Sequence, residues 1–180
     1  MAEDIAALRA RLPYRDCAGA ALFNAKGQVL IGKRKFGEDP EKGPELGAAW
    51  QMPQGGIDRG EAPLDAARRE LYEETSVTSI ELIAEAPHWV FYDLPDELLG
   101  SALKGKYRGQ RQRWFAFRFT GEEREIDVLA PGGGQFHAEF AAWRWEALEN
   151  LPELIVPFKR RAYEAIVAAF ADIPARSAHG

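Results

Sequence analysis

Glu70, Glu73 and Glu74 stand at i, i+3 and i+4 within the run from Gly55 to Val77, a spacing that places side chains on one face of a helix. Three carboxylates so placed could jointly hold hard divalent cations. That chemistry suits cleavage of a phosphoanhydride. Such a cleavage needs charge offset on the nonbridging oxygens, an attacking water aligned opposite the leaving group, and a group to take its proton. A divalent ion offsets phosphate charge and acidifies water, while a glutamate not fully used in coordination serves as base. Glu70 and Glu74, one turn apart, are the first choice of ligands, with Glu73 close enough to bind a second ion. Uncoordinated, these carboxylates would repel one another, and their pKa values should rise. On an isolated helix the same triplet is more often a solvated face. The loop before it argues otherwise, because Gly55-Gly56 lets backbone carbonyls approach an ion closely and Gly60-Glu61 sets the turn into the helix.

The elements that must position these groups follow from the hydropathy pattern. Cys17 to Phe23 and Gln28 to Lys33 are apolar-rich runs separated by Asn24-Ala25-Lys26-Gly27, which predicts an antiparallel hairpin. Phe36 to Ala48 has loop composition and leads into a short strand, Trp50-Gln51-Met52, followed by a loop from Pro53 to Gly60. Pro63 suits the first turn of the carboxylate-bearing helix, whose apolar stripe is Leu64, Ala67 and Leu71. Ile80 to Tyr92 reads as a strand broken at Pro87, and Gln110 to Thr120 as another, with Gln110 to Arg113 on a strand edge and Trp114 and Phe115 in the core. Asp93 to Arg108 is a polar excursion, and Glu122 to His137 a mobile loop. Phe140 to Trp145 resumes strand character. Pro157 to Ala171 is a closing amphipathic helix with Phe158, Ala162, Ile166, Ala169 and Phe170 turned inward, and Pro174 to Gly180 is expected to fray. Mixed strands with two substantial helices predict an α+β sandwich, a mixed sheet covered by helices on both sides. The expected organisation is one domain over residues 14–171, preceded by an extension at 1–13 and followed by a tail at 172–180.

Composition bounds the function. With 180 residues the chain is long enough for a real core, and its net charge of −5 means that any nucleotide or RNA must be met by a local basic patch rather than by the surface as a whole. Apolar runs such as Ala165 to Ala171 are far short of a membrane span, and MAEDIAALRARL is amphipathic rather than a signal peptide, so a cytoplasmic protein is expected. The lone Cys17 excludes an internal disulfide, and His88, His137 and His179 lack zinc-ligand spacing, which leaves oxygen ligands for any metal.

The order Gly55, five residues, Glu61, seven residues, Arg69-Glu70, one apolar residue, one free position and Glu73-Glu74 resembles the Nudix box. The resemblance implies an α/β/α sandwich of the Nudix type and hydrolysis of a nucleoside diphosphate linked to another group. It also implies magnesium, or manganese in its place, with more than one ion per site. By the same resemblance the backbone at Gln54 and Gly55 completes the coordination shell, while Glu61 and Arg69 form a structural pair bracing loop against helix. Ser76 departs from the pattern, standing where the family has glycine. A serine at positive φ there costs on the order of 1 kcal/mol, so modest destabilisation or a reshaped turn is expected, with activity retained.

Further segments, WQMPQGG, WVFYDLP, YRGQRQRWF, EF before WRW, and IVPFKRRAY, look like the bacterial RNA pyrophosphohydrolases, also described as dinucleoside polyphosphate hydrolases. That likeness implies removal of pyrophosphate from 5′-triphosphorylated RNA, which starts mRNA decay. The sequence leaves the oligomeric state open, with a monomer as the default expectation. The same likeness makes Glu139 a further acidic ligand or base beside Glu70 and Glu74, with Glu74 or Glu139 the expected base, although Ala141 and Ala142 follow where the family often has aspartate. Arg15, Arg34 or Lys35, Tyr92, Phe158 and Lys159 are then the groups for the terminal nucleotides, cations for phosphate and rings for bases. Two alternatives stand beside this reading: a hydrolase of diadenosine and other dinucleoside polyphosphates, and a Nudix module that senses nucleotides without turnover.

Overall fold

The computed structural model describes residues 4–35 and 49–177. Its eight strands are β1 (Tyr14–Phe23), β2 (Val29–Arg34), β3 (Trp50–Gln51), β4 (Gln54–Gly56), β5 (Ile80–Glu85), β6 (Val90–Asp93), β7 (Gly109–Phe119) and β8 (Phe140–Glu146). Helices are α1 (Ile5–Arg11), α2 (Pro63–Thr75), α3 (Leu151–Leu154), α4 (Arg160–Phe170) and α5 (Ile173–Ser177). Strands pair in the order β3-β2-β1-β7-β5, with β4 on β1, β6 on β7 and β8 on β2. The sheet is mixed because β1 and β7 run parallel over their shared length, from Tyr14 against Gly109 to Phe23 against Arg118, while the other pairs are antiparallel.

Cys17 to Phe23 is buried at every position, which is what a strand covered on both faces requires. On one face Ala21, Phe23, Ile31 and Trp114 pack with Ala162, Tyr163, Ile166 and Phe170 of α4. On the other, Ala18, Ala20, Leu22 and Phe117 pack with Ala66, Ala67 and Leu71 of α2. This is the expected sandwich. Removing the Leu71 side chain from that contact should cost about 2–5 kcal/mol, and α2 carries the acidic residues, so packing is what holds the site in place.

Several elements differ from the sequence reading. The loop expected from Pro53 to Gly60 contains β4, whose Gln54, Gly55 and Gly56 pair with Gly19, Ala18 and Cys17. Gln110 to Arg113 are not at an edge: β6 lies against β7 on the side away from β1, and Gln110 and Gln112 are buried. The Glu122–His137 segment packs on the molecule instead of standing free. Glu125 accepts hydrogen bonds from the backbone N–H groups of Thr78 and Ser79 at 2.7 and 2.9 Å, and Ile126 and Val128 are buried. In place of fraying, residues 173–177 form α5, with Ile173 and Ser177 buried. The closing helix opens with a 3-10 turn, Pro157–Lys159, before α4. At the other end, α1 is held to the loop after β6 by Arg9, which donates to Leu94 O and Asp96 Oδ1. The loop expected at Phe36 to Ala48 lies outside the described residues. No helix among the described residues is long and apolar enough to cross a membrane.

Candidate active site

Pro63 opens α2 at a position where its missing N–H is no loss. The helix ends at Ser76, which adopts the left-handed conformation, φ 67°, with its N–H on Tyr72 O. Ser76 therefore keeps the geometry expected of glycine instead of reshaping the turn. Between these ends Arg69 braces the incoming loop: it donates to Glu61 Oε1 and Oε2 at 2.8 and 2.9 Å and to Gly56 O at 2.7 Å. These bonds hold the Glu61 carboxyl below the usual carboxylate range, the Arg69 hydrogen bond being the largest cause.

The carboxylates of α2 differ in their surroundings. Glu70 accepts from Arg69 at 2.9 Å and Glu73 from the same nitrogen at 3.3 Å. Burial raises the Glu70 pKa in spite of that bond, and the charges of Glu73 and Glu139 add to the rise. Glu74 is 3% exposed, and neither of its carboxylate oxygens has a well-formed hydrogen bond. Burial pushes its pKa well above the usual range, and Glu139 and Glu70 push it further; Arg34 and the Gln54 backbone amide oppose the shift without prevailing.

Beside this acidic ridge lies a cavity of about 150 Å³. β4 supplies Gln54 and Gly55, the start of β1 Arg15, the end of β2 Arg34, α2 Glu70, and the turn before β8 Glu139. Tyr92 of β6 and Phe158 and Lys159 of the turn before α4 close the other side. The two rings are 5.7 Å apart at 51°, and Lys159 Nζ is 5.0 Å from the Tyr92 ring centre. Phe158, expected both to turn inward and to meet the terminal nucleotides, packs against the core cluster and also forms a wall of this cavity.

Three candidate residues stand apart from the lining. Lys35 contributes a backbone bond to Glu139 O at 3.1 Å, Glu73 faces Arg69, and Glu74 is buried one turn beyond Glu70 without reaching the cavity wall. Leu94, Ala102, Leu103 and Gln110 line the cavity although the sequence reading gave the first three no role. The only signal for Leu94 and Leu103 was apolar character inside a polar excursion. Arg111 and Arg113, on the same strand as Gln110, are paired with Asp16 and Glu85.

Among the described residues no three acidic, histidine or cysteine side chains are gathered tightly enough to form a ready ion cage. Arg69 holds Glu70 and Glu73, and Glu139 approaches from the turn before β8. The donor set nonetheless fits a hard divalent cation. Glu74 presents two buried oxygens that lack a well-formed hydrogen bond, and Gly55 passes so close to Glu70 that a Cβ there would run into its carboxylate. Carboxylate oxygens and backbone carbonyls are the ligands such ions take.

A family model described as the NUDIX domain matches residues 13–166. An RNA pyrophosphohydrolase of Agrobacterium fabrum is 59% identical over 161 residues, covering 88% of this chain and 92% of that protein. One of Azorhizobium caulinodans is 56% identical over 159 residues, covering 88% and 93%. Among solved structures, the dihydroneopterin triphosphate pyrophosphohydrolase of E. coli aligns with a TM-score of 0.59 at 22% identity, covering 87% of this chain and 98% of that one. A C. elegans Ap4A hydrolase complex aligns at 0.57 and 19%, covering 87% and 98%. The structural matches speak for the fold alone. With a family model spanning most of its length and relatives more than half identical nearly end to end, the chain belongs to the Nudix family.

Proposed function

We propose that this protein is an RNA pyrophosphohydrolase that removes pyrophosphate from 5′-triphosphorylated RNA in the cytoplasm and leaves a 5′-monophosphate. The observation that carries the reading is one cavity with three kinds of wall: acidic at Glu70 and Glu139, basic at Arg15, Arg34 and Lys159, and aromatic at Tyr92 and Phe158. A triphosphate end carries matching features, a charged phosphate chain and a base that can be unstacked onto a ring. The names of the relatives favour RNA over dinucleoside polyphosphates, for which the same cavity offers the same groups.

Magnesium, held by Glu70, Glu74, Glu139 and the backbone at Gln54 and Gly55, with Glu73 available to a further ion, would supply offset charge and acidified water. The chain's own groups do the remainder. Arg15, Arg34 and Lys159 bind and orient the phosphates, and Tyr92 and Phe158 flank the terminal bases. Water attacks phosphorus, its proton passes to Glu139, which has open access to the cavity, and the anhydride between the α and β phosphates breaks to release pyrophosphate. Glu74 is too enclosed for that exchange and serves as a ligand.

Pyrophosphate release from triphosphorylated RNA with magnesium tests the reading. Release by the unmutated protein and its loss in Glu74→Gln and Glu139→Gln are expected. RNA binding without any release by the unmutated protein would instead identify a sensing module.

A further inference from the structure

Three buried side chains on one face of β7 and one half-buried side chain from β4 form a chain of hydrogen bonds whose direction is set at one end. The indole N–H of Trp114 can only donate. It donates to Gln112 Oε1 at 2.9 Å, and the two residues are 0% and 2% exposed. With its oxygen committed there, Gln112 directs Nε2 away from the tryptophan, donating to Gln110 Oε1 at 2.9 Å and to Gln54 Oε1 at 3.3 Å. The reverse orientation would set the amide NH2 against the indole N–H, two donors face to face in a buried place, at the cost of an unmade hydrogen bond. Gln110 and Gln54 both line the cavity. Since each has its oxygen turned to Gln112, the group each has left for a ligand is an NH2 donor.

We propose that Gln112, locked by Trp114, is a positioning residue that gives the cavity its preference for anions by turning Gln110 and Gln54 donor-first toward the phosphate chain. The inference rests on the reading of the cavity as a polyphosphate site. It adds a neutral contribution to the cationic one. Lysine attracts phosphate as a point charge and arginine through its planar fork, and two fixed amide donors add a preference for phosphate oxygens at further particular places along the chain. Without the lock, either glutamine could rotate and offer an oxygen, which repels the ligand.

The test is binding of inorganic tripolyphosphate, with magnesium, to the full chain by titration calorimetry, which needs no turnover. In Gln112→Glu a carboxylate still accepts from Trp114 but cannot donate, so Gln110 and Gln54 must turn their NH2 groups inward and their oxygens to the ligand. Affinity should fall about tenfold or more. In a background of Gln54→Ala with Gln110→Ala the same change should weaken binding by less than about twofold, because the groups it acts through are gone. Equal losses in both backgrounds would mean that the new charge acts directly, and no loss would mean that the lock is idle; either overturns the inference. No tripolyphosphate binding by the unmutated protein would sink the site reading instead, a separate outcome. Should Gln112→Glu fail to fold, Trp114→Phe keeps most of the ring and removes the N–H. An affinity about threefold weaker is expected there, with KM for triphosphorylated RNA rising and kcat within about twofold, and unchanged values for both overturn the proposal.

Discussion

The Ser76 hydroxyl donates to the carbonyl oxygen of Asp127 at 3.1 Å and accepts from the N–H of Gly132 at 2.9 Å, tying the end of α2 to a loop about fifty residues away. Serine at φ 67° carries strain of about 1 kcal/mol relative to glycine, and two hydrogen bonds of about 0.5–1.5 kcal/mol each offset it. Ser76→Gly should therefore be close to neutral, and Ser76→Ala, which keeps the strain and loses the bonds, should destabilise by about 1–3 kcal/mol. Denaturant unfolding of the pair checks this. A Ser76→Gly protein more stable than the unmutated one by well over 1 kcal/mol would show that the hydroxyl contributes nothing.

Arg69 and Glu61 should matter for stability first and for turnover only through the loop they hold. Arg69→Met removes a two-pronged ion pair and the bond to Gly56 O, an expected loss of about 1–3 kcal/mol. Because the folded state lowers the Glu61 pKa, its contribution is present above the usual carboxylate range and is lost as pH falls through the lowered value. Melting temperatures between about pH 5 and pH 2 should fall less steeply in Glu61→Gln than in the unmutated protein. Parallel curves would place the pair outside the stability of the fold.

Glu74 has the opposite sign. Its folded pKa is raised, so its contribution is fully present below the usual carboxylate range and disappears as pH rises through the raised value. In chelator, stability should decline from about pH 5 upward, and Glu74→Gln should flatten the curve and gain about 1–3 kcal/mol near neutrality. Magnesium should reverse the order, raising the melting temperature of the unmutated protein and leaving Glu74→Gln nearly unchanged. An unmutated protein indifferent to magnesium would remove Glu74 from the ligand set.

Much of this arrangement was legible from residues near one another in sequence. The proline-led start of α2 and its Leu64, Ala67 and Leu71 stripe are local patterns, and helix periodicity reports them directly. The surroundings of the three glutamates were not, since Glu74 is buried while Glu70 and Glu73 are held by Arg69. What escaped depends on distant partners. β4 has two glycines in three residues and no apolar alternation, and its pairing is decided by β1, more than thirty residues away. Arg111 looks like a solvent-facing cation until Asp16 is seen beside it, 95 positions earlier in the chain. The segment after β7 seemed free because of its glycines, while Ile126 and Val128, two buried residues in a polar run, were the faint sign that it packs. Of the site itself, the acidic, basic and aromatic walls were nameable from sequence, but not the Gln110, Gln112 and Trp114 period-two row, whose meaning lies in which nitrogen faces which oxygen.

The cavity beside α2 is proposed to seat the 5′ end of RNA in preference to a dinucleotide. Competition for turnover between 5′-triphosphorylated RNA and a dinucleoside tetraphosphate, at matched concentration and magnesium, decides between them. A kcat/KM about tenfold or more higher for the RNA is predicted. An excess of that size for the dinucleotide would contradict the claim.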